Sequence, residues 1–60
     1  MTSVFDEDGI PVAKSSFQPL PRIGENIIHE GTEYVVVKVK HETCPQKGYY
    51  NPPSLIVRKV

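Results

Sequence analysis

His29, His41, Cys44 and the carboxylates are the groups in this chain best suited to act as nucleophile, general base or metal ligand. His41 and Cys44 stand three residues apart, a spacing that a thiolate–imidazole pair can use but that inert loops share, and no third group is evident to orient the imidazole. The sequence contains no P-loop, no GxGxxG and no nucleophile elbow. A chain of 60 residues also has little interior in which to shield a reacting pair from water. No catalytic residue is therefore expected, and the protein is read as a non-enzyme. A metal site fares no better: His29, His41 and Cys44 would leave a fourth tetrahedral position unassigned, and neither CxxC nor HxxxH spacing is present. No metal and no cofactor are expected.

A second constellation carries more content. Lys38, Lys40, His41, Lys47, Tyr49, Tyr50, Arg58 and Lys59 combine cations with adjacent aromatics in the second half of the chain. Tyrosine and arginine are enriched at the energetic centres of protein interfaces, and an exposed strand edge invites pairing. The leading expectation is a binding module that recognises another protein, or its own copy, through residues 43–53 and the adjacent strand edge. Its site would comprise Lys38, Lys40, His41, Lys47, Tyr49, Tyr50 and Arg58. The alternative is a nucleic-acid or signalling-nucleotide binder, with phosphates on Lys38, Lys40, Arg58 and Lys59 and bases stacked on Tyr49 and Tyr50. The plain structural reading of the same residues is a tyrosine plug over one end of the fold with lysines solvating a strand edge.

Charge balance tempers the nucleic-acid alternative. The net charge is zero, where polyanion binders are strongly basic. It is unevenly spread: Asp6, Glu7, Asp8, Glu25, Glu30 and Glu33 against Lys14 and Arg22 give residues 1–33 a charge of −4, whereas Lys38, Lys40, Lys47, Arg58 and Lys59 against Glu42 give residues 34–60 a charge of +4. Pairing of the two halves across one sheet would account for this. A lone cysteine cannot close an intramolecular disulfide. With no apolar run of membrane-spanning length and no leader pattern, a reducing cytoplasmic setting is expected.

The elements that must position these residues are strands. Thr32–His41 contains Tyr34-Val35-Val36-Val37-Lys38-Val39-Lys40, the segment densest in β-branched and aromatic residues, with no Gly or Pro within it. Alternation places Val35, Val37 and Val39 on a core face and Tyr34, Val36, Lys38 and Lys40 on the other. Asn26–His29 joins it through a two-residue Glu30-Gly31 loop, pairing His29 with Thr32 and Ile27 with Tyr34. Ser3–Phe5 and 10–13 form an earlier hairpin around an Asp8-Gly9 type I′ turn, with Phe5 facing Val12 and Val4 facing Ala13. Pro11 consigns the second arm to a sheet edge, and the acidic tip is read as simply solvated. Gln18-Pro19-Leu20-Pro21 is a stiff crossing anchored by Phe17 and Leu20. Residues 42–53 form a long irregular loop, and Leu55–Val60 is the last strand, antiparallel to the main one.

No window sustains a 3.6-residue apolar period, so essentially no helix is expected. The chain reads as one domain over residues 1–60: all-β, a small five-stranded bent sheet or SH3-like barrel. Leu20-Pro21-Arg22-Ile23-Gly24-Glu25-Asn26-Ile27 followed by Gly31, Tyr34-Val35-Val36 and Val39 resembles small phage or prophage-type orphan β-barrel proteins, in which a PRxGE turn leads into a hairpin of the form YxVxxV. That resemblance implies an SH3-like or OB-like small barrel of unassigned function, and small phage proteins often act by binding a host protein, a nucleic acid or a signalling nucleotide. It brings no site residues with it.

Overall fold

The computed structural model describes residues 2–41 and 52–60. Five strands form where the sequence places them: β1 (Thr2–Asp6), β2 (Pro11–Ser15), β3 (Asn26–His29), β4 (Thr32–Lys40) and β5 (Ser54–Lys59). No helix occurs among the described residues. The strands make one curled sheet in the order β2-β1-β5-β4-β3, so β5, and not the long β4, is its middle strand. As expected, β5 runs antiparallel to β4; it also pairs in parallel with β1, Val4 beside Leu55 and Phe5 beside Ile56. The last strand thereby joins two hairpins that are separate in sequence.

Each hairpin has its own turn chemistry. Glu30 and Gly31 both take positive φ, 50° and 80°, which is the type I′ geometry, and His29–Thr32 and Ile27–Tyr34 pair in the expected register. The first hairpin departs from expectation. The Gly9 amide donates to the Asp6 carbonyl at 3.0 Å, Gly9 alone in that turn has positive φ (84°), and the Asp6 amide donates to Ile10. The turn is therefore a four-residue one over Asp6–Gly9 with a glycine bulge, and not a two-residue Asp8-Gly9 loop. The Asp6 carboxylate selects it, accepting from the amides of both Asp8 and Ile10 at 2.9 Å. A further irregularity puts Phe5 opposite Pro11 in place of Val12, while Val4 faces Ala13 as expected. β2 is an edge strand, which accommodates Pro11.

Because β2 and β3 lie at opposite edges, residues 16–25 must cross the width of the sheet, about 19 Å at the usual strand spacing. The crossing contains no strand and bends at Gln18 and Pro19, whose peptide bond is cis. Phe17 and Leu20 pack against the core, as their sequence context predicts. Arg22–Glu25 then turns the chain into β3, with Gly24 at φ 94° and the Arg22 amide capped by the Glu25 carboxylate.

The core is Val4, Val36, Leu55 and Val57, all fully buried, with Val12, Ala13, Phe17, Leu20, Ile27, Tyr34 and Val39 packed around it. This corrects the facing of β4. Val36 is 1% exposed, and Val35 and Val37 are only half-buried. The register slips between Val36 and Lys38, so that Val37 is an extra residue bulging opposite Ile56. Before the bulge Tyr34 and Val36 face the core; after it Val39 does, and Lys38 and Lys40 face out.

Candidate functional site

The bulge at Val37 and the turn at Asp6–Gly9 together shape a groove of about 470 Å³ on the outer face of the sheet, lined by Asp6, Glu7, Gly9, Val37, Lys38, Lys40, Ile56 and Arg58. Each wall follows from local structure. Lys38 and Lys40 share a face because they are two residues apart on β4, and the bulge turns that face outward. Ile56 lies opposite Lys38 and, with Val37, provides an apolar floor. The parallel β1–β5 pairing brings the turn that follows β1 over the end of β5.

There Glu7 grips Arg58. The guanidinium donates through Nε to Oε1 at 2.9 Å and through Nη2 to Oε2 at 2.8 Å, a bidentate pair. Hydrogen bonding to Arg58, reinforced by its charge, holds the Glu7 carboxyl below the usual carboxylate range, and the same contact raises Arg58. This pair joins the acidic first half of the chain to the basic second half.

The expected site is thus divided. Lys38, Lys40 and Arg58 come together on one face, with Arg58 committed to Glu7. Lys59, one residue on, lines an adjoining hollow that shares Asp6, Glu7 and Arg58 with the groove and also takes in Val12, Tyr34 and Val57. His41 is exposed at the end of β4 and borders a smaller groove with Lys38, Val39, Lys40 and Ser54. Lys47, Tyr49 and Tyr50 lie outside the described residues. Sequence reasoning overlooked Asp6, Glu7, Val37 and Ile56. The sequence suggests only a solvated tip for the first two; Asp6 instead builds the turn and Glu7 holds a cation. An acidic run before Asp-Gly was the available signal, since a carboxylate at the first position of a turn commonly binds the backbone two residues on.

Among the described residues, no group of three or more His, Cys, Asp and Glu side chains is gathered closely enough to hold a metal ion, and no helix is long and apolar enough to cross a membrane. No family model matches the chain, and neither a characterised protein nor a solved structure matches it.

Proposed function

We propose that the protein is a non-enzymatic binding module that takes a short, mixed-charge stretch of another polypeptide into the outer groove. The observation that carries this reading is the groove's composition: a basic wall of Lys38 and Lys40, a facing wall of the Asp6 carboxylate beside the mutually paired Glu7 and Arg58, and an apolar floor of Val37 and Ile56. The lysines suit an acidic side chain, the charge of Asp6 on the facing wall suits a basic one, and the floor offers an apolar anchor position. Phosphates fit less well. Arg58 and Glu7 already offset each other's charge, and a polyanion lying along Lys38 and Lys40 would run beside the Asp6 carboxylate.

Selection of a random hexapeptide library on the immobilised protein tests the proposal, with a thymidine oligonucleotide titrated in parallel. Enriched peptides should carry both an acidic and a basic residue and should shift the amide resonances of Val37, Lys38, Lys40 and Ile56. Lys38→Glu with Lys40→Glu should abolish that binding and leave the fold intact, because both side chains are exposed. Oligonucleotide binding that weakens steeply with salt, with no peptide enriched, would replace this reading with the nucleic-acid one.

A further inference from the structure

The two edges of the sheet are built differently. On β2 the edge is guarded: Phe5 faces Pro11, whose missing N–H lies toward the open side, and Lys14 is exposed along the same strand. The β3 edge has neither proline nor lysine. Its backbone directions follow from the ladder. Val36 donates to the Glu25 carbonyl at 2.9 Å and accepts from Gly24 at 2.8 Å, so Val36, Tyr34 and Thr32 turn their peptide groups toward β3. Glu33 and Val35 turn theirs the other way, as the bond from the Val60 amide to the Glu33 carbonyl attests. On β3, then, Ile27 and His29 bond to β4, and the N–H and C=O of Asn26 and Ile28 point to the open edge. Ile28 is 73% exposed there, and Ile23, in the turn leading into β3, is 65% exposed.

We infer that β3 is a self-pairing edge whose occupant is β3 of a second copy of this chain, antiparallel about a twofold axis through Ile27. The edge is self-complementary in that register. Asn26 of each copy lies opposite Ile28 of the other, so all the outward N–H and C=O groups of both residues are bonded reciprocally, as an isologous contact requires. Ile27 meets its counterpart on the axis, and this side chain already packs on the core, so the apolar interiors become continuous. The register also sets Glu25 level with His29 of the other copy, and Glu30 level with the turn that carries Arg22. Zero net charge means that no overall repulsion opposes association. A domain of 60 residues has a small interior to which a shared sheet adds burial. The surface is separate from the outer groove, so peptide binding there survives if this inference fails.

The test measures mass by sedimentation and amide exchange by NMR on the same samples across a concentration series. The expected result is a doubling of mass with concentration, in step with new protection at the Asn26 and Ile28 amides, which face no other strand among the described residues. Chain prepared by chemical synthesis with an N-methyl group on Ile28 should stay monomeric at every concentration, since that amide has no partner among the described residues. A monomeric mass throughout, or a dimer in which both amides exchange as fast as in the dilute sample, would overturn the inference.

Discussion

Val36 and Val35 are adjacent, identical in chemistry and opposite in consequence. Val36 meets Val57 in the fully buried core, whereas Val35 lies on the outer face beside Arg58. Val36→Ala should cost about 1–3 kcal/mol through lost burial and a residual cavity, lowering the thermal midpoint by roughly 5–20 °C in a domain this small. Val35→Ala should lower it much less, and calorimetry on the two variants reads the difference directly. Alternation alone pointed the other way, because an extra residue in a strand leaves no mark in a run of valines. Glycine often marks a bulge, and this one has none. Glu7 offers a second test at this scale. Its carboxyl is lowered by the Arg58 contact, so the contact's contribution is present above the ordinary glutamate range and is lost as pH falls through the lower folded value. A carboxyl NMR titration should find Glu7 ionising below the ordinary glutamate range, and Arg58→Ala should return it to that range. Both side chains are exposed, so the thermal midpoint should hardly move with that substitution at neutral pH.

At the scale of elements, what the sequence disclosed depended on whether a turn's geometry was dictated by two residues or chosen by a third. Glu30-Gly31 leaves little freedom: a two-residue loop fixes register, and β3 and β4 pair as the sequence implies. Glutamate is nonetheless a poor occupant of φ 50°, where asparagine is at ease. Glu30→Asn should therefore stabilise the hairpin by about 0.5–1 kcal/mol, read as a rise of a few degrees in thermal midpoint. An unchanged or lower midpoint would mean that the Glu30 side chain contributes more, beside His29 at 3.9 Å, than its backbone conformation costs. In the Asp6–Gly9 turn the outcome was decided by Asp6, whose carboxylate holds two amides and makes the longer loop the better-bonded one. The same turn places Glu7 over β5, and that is why half of the groove escaped sequence reasoning.

For the molecule as a whole, strand content and the absence of helix among the described residues were legible in composition and period, and so was the crossing anchored by Phe17 and Leu20. The parallel partnership of β1 with β5 was not, since no local pattern specifies which strand from the far end of the chain will insert between two hairpins. That insertion decides where the core lies: Leu55 and Val57 are fully buried because β5 has a neighbour on each side. It also predicts how the protein unfolds. Neither hairpin is expected to be stable in water alone, as two strands bury too little, and among the described strands β5 alone is hydrogen-bonded to both. Urea unfolding followed at the amides of Val4 in one hairpin and Ile27 in the other should give coincident transitions. Leu55→Ala should shift both midpoints equally, by a stability loss of about 2–5 kcal/mol that approaches the total for so small a domain. A transition at Val4 that moves while the one at Ile27 stays fixed would mean that the β3–β4 hairpin holds without β5, and the two halves of the sheet would then be separate folding units.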